Sequence, residues 1–291
     1  MPSVSTAMPE LPDSLVADLS FNALLAISGD DAEAFLHGQF TNDVHALGPG
    51  EAQWNGWCSP KGRLLATFVL ARHSGGYYLM LPAEIAEAFA KRLRLFVLRS
   101  KVKVEDATAG LSRLGIAGKD AAARARAAGG FPLGERFGFV FAASAALAPD
   151  ADRAAWELAL VREGIVTVVA ATQEQFVPQM ANYDLVGGVS FKKGCYPGQE
   201  IVARTQYRGI LKRRMARVRF EGAAPQPGES VYSPAFGEQA AGMVANAAPA
   251  PGGGFEALVV AQIEAIADGG LHRGSPAGPT LPVLPLPYAI P

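Results

Sequence analysis

The chain has 291 residues, of which 49% are apolar and 18% are charged, and its formal net charge is −1. A chain of this length can bury more than one core, and the near-zero charge provides no overall field that would favour nucleic acid or an acidic membrane. It contains no apolar run of about 18 residues, so we expect no membrane-spanning helix. Two distant cysteines, Cys58 and Cys195, are no disulfide framework. Together with an N-terminus that lacks the features of a secretory signal, they predict a cytoplasmic protein.

Hydrophobic periodicity and turn residues predict a mixture of helices and strands up to about residue 211. In chain order, the predicted elements are a helix after Asp30, a strand at 64–70, a hairpin turn at 74–76, a helix from Pro82, a helix at 119–128 and a strand at 137–142. Antiparallel strands with helices packed on one side indicate an α+β arrangement.

The character of the sequence changes near Lys212. Short strand-like runs are separated by clusters of proline and glycine; the runs are 215–220, 229–232, 242–245 and 257–265. This pattern predicts a small sandwich or barrel in residues 212–291. The proline-rich end, 281–291, predicts an edge strand or a tail.

The stretch most informative about chemistry surrounds Cys195, in the sequence FKKGCYPGQE at 191–200. Lysine charge lowers the pKa of a nearby thiol, and Lys193 is therefore the candidate for tuning Cys195, unless it is simply solvated. Gly194 and Gly198 permit a tight loop. A free cysteine is often only a small buried residue. The flanking lysines instead favour an exposed, functional thiol, with Cys195 and Lys193 as the candidate catalytic residues.

Two other interpretations of Cys195 are weaker. A resident metal site is not expected, because there is no C-x-x-C and no neighbouring histidine, and one thiolate cannot supply the usual four ligands. An iron–sulfur cluster could be held only transiently, with thiols from a partner. A cysteine hydrolase needs a base beside the thiol. None of the histidines (His37, His45, His73 and His272) has a recognisable hydrolase context.

Polar residues after the cysteine are candidates for ligand binding. Gln199 and Glu200 either orient the loop or contact a ligand, or Glu200 begins a helix, where a carboxylate is favoured. Arg204, Tyr207 and Arg208 form a basic, aromatic strip that could meet a phosphate or a polyglutamate tail. On charge alone, a solvated helix face explains this strip equally well.

The motif K-G-C-Y-P-G-Q-E, at 193–200, resembles the signature of the YgfZ family of folate-binding proteins, which are implicated in iron–sulfur cluster maturation and tRNA modification. The similarity extends to 35–44, 58–66, 175–182 and 203–209. YgfZ proteins in turn resemble the glycine cleavage T-protein, a tetrahydrofolate-dependent aminomethyltransferase. The resemblance implies two interleaved folate-binding-type α+β domains in residues 1–211 and a small β-barrel in residues 212–291, arranged around a central opening.

The same resemblance implies tetrahydrofolate, or a one-carbon derivative of it, as the cofactor. A folate site needs aromatic walls and a few convergent polar groups. The candidate cofactor-binding residues are Trp54, Trp57, Glu163, Gln179, Asn182, Gln199, Glu200 and Arg208.

Two departures from the T-protein pattern bear on activity. T-proteins carry an N-A-x-N-x-x-K-D segment whose aspartate takes part in aminomethyl transfer, and the corresponding stretch at 80–85 lacks it. T-proteins also have an R-x-E-x-G segment whose glutamate contacts the pterin. Here Arg162 stands where that glutamate is expected, and Glu163 lies one position closer to the glycine, Gly164, than in the T-protein pattern.

The sequence therefore predicts a folate-binding accessory factor that supports assembly or repair of iron–sulfur cluster proteins, with Cys195 as its functional thiol. One alternative is a tetrahydrofolate-dependent aminomethyltransferase, and a second is a folate-free module whose central opening grips a protein or tRNA. The implied partners are iron–sulfur enzymes, cluster-assembly proteins and tRNA-modifying enzymes. We expect a monomer with no membrane partner.

Overall fold

The computed structural model describes residues 14–144, 147–207, 209 and 211–291, so the prediction about a secretory signal falls outside the described residues. The strands are β1 (Leu15–Asp18), β2 (Asn22–Ser28), β3 (Ala52–Cys58), β4 (Leu64–His73), β5 (Gly76–Pro82), β6 (Lys103–Asp106), β7 (Ser112–Ala117), β8 (Phe131–Leu133), β9 (Phe137–Ala142), β10 (Arg213–Phe220), β11 (Ser230–Tyr232), β12 (Gly242–Pro249), β13 (Phe255–Gln262), β14 (His272–Arg273) and β15 (Val283–Leu284). The helices are α1 (Ala32–Gln39), α2 (Ala83–Arg94), α3 (Ala121–Ala127), α4 (Arg153–Arg162), α5 (Gln199–Tyr207) and α6 (Ile263–Ala267). Among the described helices, none has the length and apolarity needed to cross a membrane.

The first layer is a five-stranded antiparallel sheet in the order β3-β4-β5-β2-β6. Helices α1 and α2 share one core with this sheet. The apolar residues Ile85, Phe89 and Leu93 recur at helical spacing in α2 and are all buried there. The predicted helix from Pro82 is confirmed, because Pro82 immediately precedes α2. The predicted hairpin turn between β4 and β5 is confirmed as well.

The second layer is a four-stranded sheet in the order β1-β7-β9-β8, with α3 and α4 against it. Strand β1 belongs to this sheet and β2 to the first, so the chain passes between the two sheets at residues 19–21. Helix α4 was missed by the sequence analysis, although a capping signal was present. The Asp152 carboxylate accepts a hydrogen bond from the Ala155 amide, 2.8 Å away.

The third layer is a six-stranded antiparallel sheet in the order β14-β11-β12-β13-β10-β15. Strands β10 and β13 pair along their whole length. The predicted strand at 257–265 was too long, because β13 ends at Gln262 and α6 follows directly. The predicted strand at 242–245 was too short, since β12 continues to Pro249. The C-terminal strand β15 lies at the edge of the sheet, as predicted.

One apolar core draws residues from all three sheets and from α4 and α5. At its centre, the Phe139 ring lies edge-on to two tryptophans, with centroids 6.0 Å from Trp54 and 5.8 Å from Trp156. Edge-to-face aromatic packing stabilises a core beyond the area that it buries. The predicted mixture of helices and antiparallel sheets is therefore confirmed, and this shared core holds the layers together.

Candidate functional site

The two cysteines have opposite environments. Cys195 is exposed on the loop before α5, whereas Cys58 is buried at the end of β3. Burial raises the pKa of Cys58 to about 12, so its thiol stays protonated at neutral pH. Of the two thiols, only that of Cys195 is accessible to a reagent or a partner.

Lys193 points into the protein rather than into solvent. Its ammonium donates hydrogen bonds to the carbonyl oxygens of His37 and Phe40, the latter at 2.6 Å, and lies 4.8 Å from the centre of the Tyr196 ring. These carbonyls belong to the C-terminal end of α1, where a cation is favoured. The alternative of a solvated Lys193 was therefore wrong, because the side chain fastens the cysteine loop to α1.

Burial also alters the ionisation of Lys193. It lowers the pKa of the ammonium to about 8, although the negative charges of Asp43 and of a Cys195 thiolate oppose this shift. The structural role of the buried Lys193 is therefore to position the cysteine loop on α1.

A histidine lies against the same loop. A methyl group added to Gly194 would lie 3.7 Å from His37 Nε2, and His37 Nδ1 is 3.2 Å from an Asp43 carboxylate oxygen. Burial and the Lys193 charge lower the pKa of His37, while Asp43 opposes them. The structure thus places a neutral imidazole beside the cysteine loop, which the sequence had not indicated.

The other end of the loop is fixed by two glycines in contact. Gly198 has a φ of +79°, and a Cβ on it would collide with the Ser59 carbonyl oxygen and lie 2.8 Å from the Gly62 Cα. Gly62, in the turn between β3 and β4, also has a positive φ, of +69°. Only glycine satisfies both the close approach and the left-handed backbone without strain. The Cys195 loop is therefore held on two sides, by α1 and by this turn.

Gln199 and Glu200 form the beginning of α5. The Gln199 amide nitrogen donates to the Gly194 carbonyl oxygen at 3.3 Å, so Gln199 orients the loop. Glu200 is exposed in the first helical turn, as one of the sequence alternatives proposed. Both line a depression of about 440 Å³ that also includes Cys195 and Pro60. Arg208 lies outside the described residues.

Gln179 and Asn182 do not face a ligand cavity. The Gln179 amide donates to the Val202 carbonyl oxygen in α5 at 2.8 Å. The Asn182 amide donates to the Met215 carbonyl oxygen in β10, also at 2.8 Å. Both side chains are buried, and these bonds connect the segment before the cysteine loop to its neighbours. The amide nitrogens of both residues are therefore used by the fold, whereas the Gln179 Oε1 atom is buried without a partner.

Trp54 and Trp57 do not share a wall, because residues three apart in a strand point to opposite faces. Trp57 packs against Phe40 and Phe89 in the core beneath α1 and α2. Trp54 faces the central core and lines a narrow pocket of about 40 Å³ there. Only Trp54 remains beside a possible ligand site.

Glu163 is held by an ion pair. Its carboxylate accepts a hydrogen bond from Arg136 at 2.7 Å; burial raises its pKa, and Arg136 opposes that rise. The neighbouring Arg162 donates to the Glu256 carboxylate at 2.8 Å. Neither Arg162 nor Glu163 lines the large cavity of about 900 Å³ that borders the other face of α4. A direct pterin contact by Glu163 is therefore not supported by its position.

A cavity of about 900 Å³ opens where the three layers meet. Helix α4 contributes one continuous face to it, through Arg153, Trp156, Glu157, Leu160 and Val161. The volume lies within the range of pockets that bind small molecules. Asn22, Pro82, Trp156, Leu160 and Thr167 also line the narrow pocket of Trp54, so the two spaces adjoin. Trp156 provides an aromatic wall for the cavity, and Trp54 lines the adjoining narrow pocket.

Most of the residues that line this cavity were not predicted from the sequence. Asn22 and Thr167 come from a strand and a connecting segment that carry no motif. The residues of α4 repeat at spacings of three and four, which is the signal that could have identified them. Pro82, Ala83 and Glu84 also line the cavity, so the segment that lacks the transfer aspartate does border it. The Glu84 carboxylate accepts a hydrogen bond from the Ala170 amide at 2.9 Å.

Within the described parts of the chain, no group of three or more histidine, cysteine, aspartate or glutamate side chains is arranged to hold a metal ion. The lining of the cavity is mostly uncharged and includes the rings of Phe21, Trp156 and Phe255, which fits an organic ligand. An aromatic ring system could stack near Trp156, with Asn22 as a hydrogen-bonding group and Arg153 at the polar edge.

Comparison with known proteins identifies the fold. Residues 13–143 match the family model described as the GCVT N-terminal domain. The solved structure of glycine cleavage system aminomethyltransferase T from Bartonella henselae superposes with a TM-score of 0.72 at 18% identity, covering 95% of this chain and 86% of that one. The fold is therefore that of the glycine cleavage T-protein.

Curated relatives define the family more narrowly. The chain is 34% identical over 245 residues to the tRNA-modifying protein YgfZ of Vibrio vulnificus (strain YJ016), covering 76% of this chain and 74% of that protein. It is 31% identical over 265 residues to the tRNA-modifying protein YgfZ of Cronobacter sakazakii (strain ATCC BAA-894), covering 79% and 78%. The chain belongs to the YgfZ family, as its cysteine motif predicted.

The contact between Gly198 and the β3–β4 turn can be tested with a matched pair of variants. Gly198→Ala should lower the free energy of unfolding by clearly more than Gly187→Ala. Gly187 has a similar φ, +76°, but open space around its Cα. The control should therefore show only the left-handed backbone cost of about 1–2 kcal/mol. Urea denaturation measures both, and equal losses would contradict the close approach.

The buried Lys193 predicts a pH-dependent difference in stability. Between about pH 8 and pH 10.5 the unfolded chain holds the lysine proton and the folded chain does not. The unfolding free energy of the parent should therefore rise relative to that of Lys193→Met, by up to roughly 3 kcal/mol. Denaturation at several pH values measures this difference. Lys192→Met, at the exposed neighbour, is the matched control for the loss of one charge, and a flat difference for Lys193→Met would refute the burial of its charge.

Proposed function

We propose that this protein is a folate-binding accessory factor that supports assembly or repair of iron–sulfur cluster proteins, with Cys195 as its working thiol. The observation that carries the proposal is the combination of a ligand-sized cavity in a T-protein fold with an exposed cysteine on a doubly anchored loop. Because two relatives are named tRNA-modifying proteins, the clients that we propose include enzymes that modify tRNA.

Tetrahydrofolate is the ligand that we propose for the central cavity. When bound, it supplies a carrier for a one-carbon unit. The residues that would hold it are Trp156 and Trp54 on the aromatic side, Asn22 as a polar contact and Arg153 near the opening. Aromatic stacking and one or two directed hydrogen bonds are the usual means of orienting such a ligand.

Aminomethyl transfer is not the function that we propose. The cavity edge at 80–85 carries no aspartate, and its one carboxylate, that of Glu84, is bound to the Ala170 amide. The Glu84 carboxylate is therefore held by the backbone rather than directed at a substrate amine. These features favour a folate-dependent supporting role over a transferase.

Folate binding in the cavity is tested by titration calorimetry with tetrahydrofolate. Asn22→Leu removes the buried amide without changing the volume greatly, and Ala83→Trp places an indole at the cavity edge. Each should weaken binding by about 10-fold or more, the effect of one lost hydrogen bond or of a filled pocket. Ala34→Trp, on the exposed side of α1, is the matched control. Absence of heat with the parent at near-millimolar folate would defeat the folate assignment.

The role of the thiol is tested with both cysteines. A thiol reagent should label Cys195 and spare Cys58, as peptide mass mapping would show. Cys195→Ala should keep the stability of the parent within about 0.5 kcal/mol, since the side chain is exposed, yet fail to support iron–sulfur enzymes in cells. Cys58→Ala should do the reverse, with reduced stability and retained support. Full support by Cys195→Ala would mean that its thiol is not used.

A further inference from the structure

The outer face of α5 forms a continuous depression that leads away from the thiol. Its first part, of about 440 Å³, is lined by Pro60, Cys195 and Glu200, and its second part, of about 390 Å³, reaches Tyr207. The two parts share Glu200 and Ala203, so they form one groove along the helix. From Gln199 to Tyr207 the helix rises by about 12 Å.

The segments that flank this groove are basic, although the charged residues of its own lining are one cation, Arg204, and one anion, Glu200. Residues 191–214 contain seven lysines and arginines and a single acidic residue, Glu200. Lys193 and Arg214 are buried in contacts of their own, but Lys192, Arg204 and Lys212 are exposed. A cluster of exposed cations with one anion attracts a polyanion over short distances.

Tyr207 adds an aromatic surface to this charge. The residue is 70% exposed, yet the edge of its ring packs against Phe191, with centroids 6.3 Å apart and planes at 75°. The contact holds the ring in place and leaves most of it open to solvent. A fixed, exposed ring among cations is the arrangement on which single-stranded nucleic acids stack their bases.

The central cavity has the wrong charge for such a ligand. Its charged lining residues are Glu84, Glu157 and Arg153, and the last two are paired with each other at 2.7 Å. An acidic peptide would satisfy the cations of the groove but would leave the Tyr207 ring unused. A ligand that carries both phosphates and flat bases uses both features.

We propose that the α5 groove binds a single-stranded RNA segment that stacks on Tyr207, contacts Lys192 and Arg204 through its phosphates, and ends beside Cys195. A span of about 12 Å accommodates three or four bases stacked at roughly 3.4 Å. The statement that the RNA ends at a working thiol rests on the proposed function; the binding itself does not.

The test uses fluorescence anisotropy with a labelled oligoadenylate of about eight nucleotides, within the usual site sizes for such proteins. Tyr207→Ala should weaken binding by about 10-fold or more, whereas Tyr207→Phe should bind like the parent because it keeps the ring. Raising the salt from 50 to 200 mM should weaken binding of the parent by roughly 7-fold, because two phosphates are contacted, by Lys192 and by Arg204. Arg204→Gln should reduce that salt dependence. Arg126→Gln, on the exposed face of α3, should change nothing.

Two further probes decide between ligand classes. An RNA duplex of the same length should bind more weakly, because its bases are not free to stack. An oligoglutamate peptide of similar charge should also bind more weakly. Equal binding of either probe, or unchanged binding by Tyr207→Ala, would overturn the proposal. Tetrahydrofolate titration of Tyr207→Ala should match the parent, so failure of the RNA site is distinguishable from failure of the folate site.

Discussion

The buried hydrogen bonds of segment 178–184 connect the parts of the molecule on which both sites depend. The Tyr183 hydroxyl donates to β3, the Asn182 amide to β10 and the Gln179 amide to α5, each at 2.8 Å. Asp184 adds an ion pair with Arg214 in which both side chains are buried. Breaking a buried pair by removing one partner costs about 3–5 kcal/mol. This one segment therefore fixes the third sheet against the first and sets the position of α5.

The position of the thiol follows from two contacts of different kinds. Lys193 is anchored by hydrogen bonds, because the carbonyl oxygens at the end of α1 replace part of the water that its ammonium loses. Gly198 is held by close backbone packing, because its lack of a side chain lets the loop approach the β3–β4 turn. With both ends of the loop held by these contacts, the fold itself places Cys195 at the surface.

Local patterns were readable from the sequence, and long-range partners were not. Helix α2 was predicted because its apolar residues lie on one face, whereas α4 buries residues on more than one side, such as Trp156 and Leu158. Asn182 was assigned to a ligand because its true partner, Met215, is 33 positions away. The separation of Trp54 and Trp57 could have been predicted, since the side chains of residues three apart in a strand point to opposite faces of the sheet. The Cys195 motif identified the loop, but the partners of Lys193 and Gly198, which are α1 and the β3–β4 turn, are distant in the chain and were not predicted.

The two proposed ligands would be recognised by different forces, which allows the sites to act together. The central cavity is aromatic, with one guanidinium already paired to a carboxylate, so binding there should depend little on ionic strength. The groove along α5 depends on exposed cations, and its affinity should fall steeply with salt. A folate and an RNA segment would then not compete for the same charges. Segment 178–184 bonds to both α5 and β10, so buried hydrogen bonds set the position of the groove relative to the third sheet. The side chains that line the groove are different from those that line the cavity, so a substitution in one site leaves the lining of the other unchanged.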